Sequence, residues 1–530
     1  MCGIAGYAGN GKEWLPTAVE KLKHRGPDDQ AMLFVDSVGF AHTRLSIIDL
    51  TKNGRQPIQS WNYVLTYNGE IYNYNELRGY INAYDDLGNI TGGNDAHTFL
   101  AFAEKYGLDT ALNRSNGMFA FGLYDKNKKT ITCVVDRFGQ KPLYYYQTED
   151  SFYFASTPAA LYNLKQRWSI DHQALDRYFM LGALMGADHL LQGIKKLCAG
   201  EMLTYNVESK KLKVEKWYDI DTIAEVKDIE PFVNDAIDAV KVSDVPINIF
   251  LSGGIDSTLV ASRFKNTQAV HLRSPEEGYA NAVASKYNIN LRIVDPQEYH
   301  IWQILTDYSE KSGEPTMAGA IPWITAKHAR QYGKVAIIAN GADELFFGYD
   351  RIQGDNDQES IKQNHHMFRG SIYPKGLMNA YRLKHNGKPS SRVTELLTFV
   401  QFDINRTLDF ASMCHGLEVR SPFLDHRLVE AALSIPEKKH RYKGNKTLLK
   451  AILHKLGFEM SFTERPKQGF SMHYKPLGFE ESKKVCYDWA QYKGYLDVKD
   501  KVLSGRDLSY IQSACVGLNV WYDVHKNMLR

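Results

Sequence analysis

An apolar run at 247–251, interrupted only by Asn248, leads straight into Ser252-Gly-Gly-Ile-Asp-Ser-Thr258, and helical spacing begins near Asp256. A strand that is apolar at nearly every position needs cover on both faces. When it feeds a short glycine turn and then a helix, a parallel sheet flanked by helices supplies that cover. A second such unit starts at 335–339 and runs into Asn340-Gly-Ala-Asp-Glu344. This part of the chain is therefore predicted to be α/β, with ligands at the carboxyl ends of its strands. Ser252, Gly253 and Gly254 let the backbone approach an anion, and the helix start behind them favours negative charge. Ser257 adds a hydroxyl, and Asp256 a carboxylate able to hold Mg²⁺. The Gly-Lys-Ser/Thr of the Walker loop is missing. A lone Ser-Gly-Gly would read as a plain turn; the preceding strand, the Asp and the second Ser favour a phosphate site.

With 530 residues the chain is longer than one core usually organises. A formal net charge of +3 leaves no large electrostatic field, which argues against nucleic acid and anionic membranes as partners. No apolar leader follows Met1 and no stretch is long enough to cross a bilayer, so a cytoplasmic protein is expected. The six cysteines, at 2, 133, 198, 414, 486 and 515, form no C-x-x-C pair, which speaks against a zinc or redox motif. Residues 1–205 are rich in short alternating strands. Segments 119–124 and 131–135 flank one polar turn, and 142–146 and 152–155 flank another, reading as successive hairpins of an antiparallel sheet. Helical patterns fall at 15–23, 74–82 and 95–106. Lys and Glu crowd 206–228, the expected linker, and 229–530 forms the second domain, mainly helical beyond about 395.

Cys2 would become the first residue once Met1 is removed. It would then carry a thiol and an α-amine whose reference pKa is about 7.7–8.0, so nucleophile and base share one residue. Position alone favours an ordinary exposed residue. The surroundings do not: Met1-Cys-Gly-Ile-Ala-Gly6, His24-Arg-Gly-Pro-Asp-Asp29, Arg44-Leu-Ser-Ile-Ile-Asp49, Asn68-Gly-Glu70 and Asp136-Arg-Phe-Gly-Gln-Lys-Pro142 follow in order. Together they resemble the class II, N-terminal-nucleophile glutamine amidotransferases. The Ser252–Ser257 loop resembles the PP-loop of ATP pyrophosphatases. The combination, with Glu418-Val-Arg-Ser-Pro-Phe-Leu-Asp425, resembles the glutamine-hydrolysing asparagine synthetases over nearly the whole chain.

That resemblance implies a layered α-β-β-α domain of the Ntn-hydrolase type, followed by a parallel-sheet PP-loop domain. It implies glutamine, aspartate and ATP as substrates, an internal tunnel for ammonia, Mg²⁺ and a homodimer. Cys2 would be the nucleophile, Asn68 and Gly69 the oxyanion donors, and Arg25 a support for the thiolate end. Arg44, Leu45, Ser46, Ile47, Ile48, Glu70 and Asp95 would join Asn68 and Gly69 in holding glutamine. ATP would meet Phe250, Ser252, Gly253, Gly254, Ile255, Asp256, Ser257, Leu272, Ile338 and Ala339, with Asp256 and Asp343 on the metal and Lys467 facing the phosphates. The chain departs from the family at Asn340, where relatives carry an acid and Asn cannot serve as a base; at Ile338 and Ala339, where they carry Ser and Gly; at His97, usually Glu; and at Phe410, often Arg. A different carboxylate acceptor, or a binding or regulatory homologue with impaired synthesis, stays open on the sequence. The Asn68-Gly69 pair also reads as a hairpin turn.

Overall fold

The structure is a computed structural model describing residues 1–81, 93–181, 183–220, 223–316, 318–349, 352, 384–385, 388–442, 444–465 and 516–529. The first half holds two six-stranded antiparallel sheets. One centres on the strand Gly3–Ala8, between Val38–Arg44 and Phe152–Ala155. The other centres on Gly117–Asp125, between Tyr63–Ile71 and Thr130–Val135. Alternation puts Ile4, Phe40, Val64, Ala120, Tyr124 and Ile131 into one buried layer between the sheets. The helix Trp14–Leu22 covers the first sheet, and Asp95–Tyr106 with Leu108–Arg114 covers the second. This is the expected α-β-β-α layering.

The two hairpins do form, but in different sheets: 117–135 in the second and 144–155 in the first. The chain crosses between them through a loop wound on Asp136. That carboxylate accepts from the backbone N–H groups of Phe138 at 3.0 Å, Gln140 at 3.1 Å and Lys141 at 3.0 Å. The segment expected as linker also carries a strand. Leu212–Lys216 pairs with Glu201–Asn206 at the edge of the second sheet, where alternating Lys and Glu can face water.

Beyond it, five parallel strands lie in the order Asn290–Val294, Gln268–Leu272, Ile247–Phe250, Val335–Ile337, Glu418–Arg420. The chain builds outward from Ile247–Phe250 in one direction, then returns to build in the other. The two strands at that reversal are those that feed the Ser252 and Asn340 loops. A doubly wound sheet leaves its ligand crevice at this switch point. The last strand, Glu418–Arg420, lies inside a region expected to be mainly helical; the rest of the described part of that region is helical or loop. No helix among the described residues is long and apolar enough to cross a membrane.

Candidate active sites

The chain start lies at the seam between the two halves. The Met1 ammonium is fully buried and bonds Glu418 Oε2 at 2.6 Å. Arg420, on the same edge strand, donates to Glu418 Oε1 at 2.6 Å and to Glu70 Oε2 at 3.1 Å. Burial works against the Glu418 carboxylate, but the ammonium and Arg420 outweigh it and hold its pKa at about 2. Glu70 is pushed well above the usual carboxylate range by burial and by Asp95 beside it. Asp95, at the start of its helix, is raised to about 6, chiefly by burial; it still accepts from the Ile71 N–H at 3.1 Å.

Here a small cavity of about 30 Å³ is lined by Cys2, Arg44, Leu45, Ile47, Ile48, Gly69, Glu70 and Asp95. Asn68 braces it from behind. Its Oδ1 accepts from the Cys2 N–H at 2.8 Å, while its Nδ2 is buried without a hydrogen-bond partner. Asn68 and Gly69 are not a turn: they sit within the strand Tyr63–Ile71, opposite Ala120 and Phe119. A Cβ at Gly69 would collide with Met118 O and the Phe119 backbone, so only glycine allows the strand this close. Burial raises the Cys2 thiol, and the nearby chain-start ammonium works the other way.

Three of the expected residues make further contacts in this structure. Arg25 reaches the Cys2 backbone carbonyl through Nε at 3.1 Å, rather than the sulfur, and pairs with Asp409 at 2.8 Å. The Arg44 guanidinium is turned to the carbonyls of Ile48, Asp49 and Thr51. Ser46 does not line the cavity; its N–H bonds Asp28 Oδ2 at 2.7 Å, and its carbonyl accepts from Lys334 at 3.3 Å. Sequence reasoning missed His42, Gln56, Tyr67, Asn94 and Glu418, which with Met1 and Gly54 complete the wall. His97 turns to Asn94, with Nδ1 2.7 Å from Asn94 Oδ1, and burial lowers it to about 4.

At the switch point of the parallel sheet a cavity of about 970 Å³ is lined by Phe250, Ser252, Gly254, Ile255, Asp256, Ser257, Leu272, Ile338, Ala339 and Asp343. Of the expected set, among the described residues, only Gly253 stands back. Its φ of +84 shapes the turn, and a Cβ there would press on the Ala280 backbone. Its carbonyl accepts from Arg465 at 2.6 Å. The Ser252 and Ser257 hydroxyls are 2.9 Å apart at the mouth of the helix Ile255–Ser262. Asn340 lies on the wall, with Asp403 among the other lining groups. Lys446, which the sequence did not single out, ion-pairs with both Asp256 and Asp343. Two carboxylates that converge on one cation fit Mg²⁺ held jointly with phosphate oxygens. Among the described residues no three acidic, His or Cys side chains cluster as a metal cage. Lys467 lies outside the described residues.

One apolar cluster joins the two cavities. It runs from Met1, Leu45, Ile47, Met118 and Phe138 to Ile249, Leu251 and Ile337.

Residues 1–218 match the family model described as a glutamine amidotransferase domain, and residues 228–503 match that of asparagine synthase. The chain belongs to the asparagine synthase family. Among its relatives, asparagine synthetase [glutamine-hydrolyzing] 1 of Bacillus subtilis is 27% identical over 522 residues, covering 82% of this chain and 81% of that protein. Asparagine synthetase [glutamine-hydrolyzing] 2 of the same organism is 26% identical over 552 residues, covering 89% and 72%. The two family models part between residues 218 and 228, which leaves Met1 in the first and Glu418 in the second. The expected lineage, α/β architecture and ligase class all hold.

Proposed function

We propose that this asparagine synthase family member releases ammonia from glutamine in the chain-start cavity and uses ATP at the sheet-end cavity to amidate aspartate. The observation that carries the reading is Asn68. Its Oδ1 is aimed at the nitrogen that becomes the Cys2 α-amine once Met1 is removed, and its buried Nδ2 is left for another acceptor. Removal of Met1 also vacates apolar space and frees Glu418 of its ammonium partner, opening the cavity to a substrate.

In this scheme the Cys2 sulfur attacks the glutamine side-chain carbonyl and its proton passes to the α-amine. Asn68 Nδ2 and the Gly69 N–H receive the oxyanion, a contribution of about 3 kcal/mol for one such donor. Ammonia leaves on protonation, and water then frees glutamate from the sulfur. Glu70 and Asp95 hold the substrate α-ammonium. Arg44 turns from its loop carbonyls to the α-carboxylate. In the second cavity the aspartate side-chain carboxylate attacks the α-phosphorus of ATP, pyrophosphate leaves, and ammonia displaces AMP from the acyl-adenylate. Ser252, Gly254 and Ser257 cradle the phosphates, with Lys467 as a further charge. Magnesium, when bound, would be held by Asp256 and Asp343 and would offset charge on the departing pyrophosphate. The apolar cluster between the sites suits neutral ammonia over ammonium. The unit 1–205 then acts as glutaminase, with the strand Leu212–Lys216 added to it from the 206–228 segment, and 229–530 acts as synthetase, in a cytoplasmic homodimer.

The test is one incubation with glutamine, Mg²⁺-ATP and aspartate or another carboxylic acid, scored for glutamate, pyrophosphate and amide. Aspartate should give all three. Pyrophosphate with another acid but not with aspartate would reassign the acceptor.

A further inference from the structure

Lys446 fills the position that a cation needs. Its Nζ is held by Asp256 Oδ2 and lies 2.5 Å from Asp343 Oδ1, and all three side chains are largely buried. The two acids come from the first turns of different helices, Ile255–Ser262 and Ala342–Leu345, so their convergence is tertiary and not an accident of neighbouring sequence. The lysine is held there at a cost. It adopts φ 56 and ψ 29, a left-handed conformation unfavourable for a non-glycine residue by about 1–2 kcal/mol, just before the helix Thr447–Lys455. Its N–H bonds Phe346 O at 3.2 Å, which ties it to the Asp343 loop. Gly348 completes the seat. A Cβ at that position would overlap both Asp343 Oδ1 and Lys446 Cε, so the backbone there leaves room for this pair and nothing larger. Asp256, Asp343, Gly348 and Lys446 all line the large cavity.

Asp256 and Asp343 each direct a carboxylate oxygen to the one ammonium. A divalent ion at the same point would compensate both acids, but it cannot share the point with Nζ, and like charges a few ångströms apart repel strongly in a partly buried site. Displacing Lys446 without a new partner would strand a buried ammonium, which is costly. Nucleotide phosphates provide that partner at the same cavity wall.

Building on the ATP-site reading above, we infer that Lys446 is a resident cation of the Asp256–Asp343 seat and makes divalent-metal binding conditional on nucleotide. In the nucleotide-free protein the ammonium occupies the seat and metal is excluded. When phosphates enter, the ammonium swings to them and the two carboxylates become available. Lys446 thereby positions the acids and guards them, without itself touching the reacting carboxylate.

Electron paramagnetic resonance titration with Mn²⁺ alone, on the full nucleotide-free chain, reads this directly. Wild type should show no site in the low-micromolar to 100 µM range, roughly the span of a vacant two-carboxylate site. Lys446→Met should bind one Mn²⁺ at least about tenfold more tightly than wild type, and adding Asp343→Asn to that variant should abolish the gain. If Lys446→Met does not fold, Lys446→Gln takes its place with the same expectation. Tight Mn²⁺ binding by wild type that Asp343→Asn removes would overturn the inference, as would a lysine variant that binds no better. Calorimetry of wild type with Mg²⁺ and α,β-methylene-ATP keeps the two readings apart. Failure of the nucleotide to bind would sink the ATP site itself. Nucleotide binding with a Mn²⁺ affinity indifferent to residue 446 would sink only the role of Lys446.

Discussion

The two cavities solve opposite problems with the same materials. The chain-start cavity holds about 30 Å³, with Met1 bound to Glu418 in its wall. The sheet-end cavity holds about 970 Å³ and opens at the switch point of a parallel sheet. In the first, contacts with strand residues already hold three groups the proposed chemistry uses: Cys2 by Asn68, Glu70 by Arg420, and Asp95 by Ile71. In the second, opposite charges of the protein pair with one another, Lys446 with Asp256 and Asp343, and Arg465 with Glu276. A site for a small, fixed amide can be prebuilt. A site for a large polyanion must keep its charges neutralised until that anion arrives. The difference lies in which partner each site awaits, and one edge strand, Glu418–Arg420, serves both.

If the division is real, the halves should fail separately. The largest effect is expected for Cys2→Ala: glutamine-dependent amide formation should fall by about 10⁴-fold, as when a nucleophile is removed, while ammonia-dependent formation stays within about twofold. Parallel assays with the two nitrogen sources read the contrast. Arg420→Met comes next, because its guanidinium binds a carboxylate from each half, Glu70 and Glu418. It strands Glu70 and Glu418 without their shared guanidinium, and breaking a buried pair in this way costs about 3–5 kcal/mol. Urea denaturation should show that loss. Asp256→Ala should lower pyrophosphate release by about 100-fold and leave glutamate formation from glutamine near wild type, seen by assaying both products.

The smallest effect is a pH dependence confined to the first cavity. The Asp95 pKa is raised from 3.8 to about 6 in the folded protein. Its carboxylate should therefore protonate as pH falls below about 6, and KM for glutamine should rise towards tenfold per pH unit, with the ammonia-dependent reaction unaffected. For stability the sign is the reverse. Folded protein binds this proton more tightly than the unfolded chain does, so Asp95 destabilises fully above about pH 6 and that cost fades between pH 6 and 4. Asp95→Asn should flatten both trends.

Most of the fold could be read from the chain because both halves advertise their cores by period. The apolar runs at 117–125 and 130–135, split by a polar turn, mark strands that the structure buries on both faces, and the apolar 247–250 run before Ser252-Gly-Gly demanded a covered parallel sheet. The helix Asp95–Tyr106 begins and ends where its pattern does, with Asn94 capping it. Local pattern could not reveal which sheet a hairpin joins, since that is decided by the Asp136 loop, nor that the Lys- and Glu-rich 212–216 stretch is an edge strand. The site residues divide along the same line. Of those within motifs, Cys2 lines the chain-start cavity with Asn68 behind it, and Asp256 and Asp343 line the sheet-end cavity. Glu418 and Lys446 escaped a role. A charged side chain is solvated by default, and their partners lie 417 and 190 positions away. Only tertiary structure makes such pairs visible. The structure also moved Asn68-Gly69 from a turn to mid-strand, because Met118 and Phe119 pack too closely for any side chain at Gly69.

The central claim is that nitrogen released at Cys2 reaches the carboxylate activated at the Ser252–Ser257 loop. Glutamine labelled with ¹⁵N in its amide, given with ATP, aspartate and an excess of unlabelled ammonium at pH 7, tests it by mass spectrometry of the product. The account predicts asparagine carrying mostly ¹⁵N, with the label lost in Cys2→Ala. Asparagine labelled only to the level of the mixed ammonium pool, or labelled equally in Cys2→Ala, would contradict it.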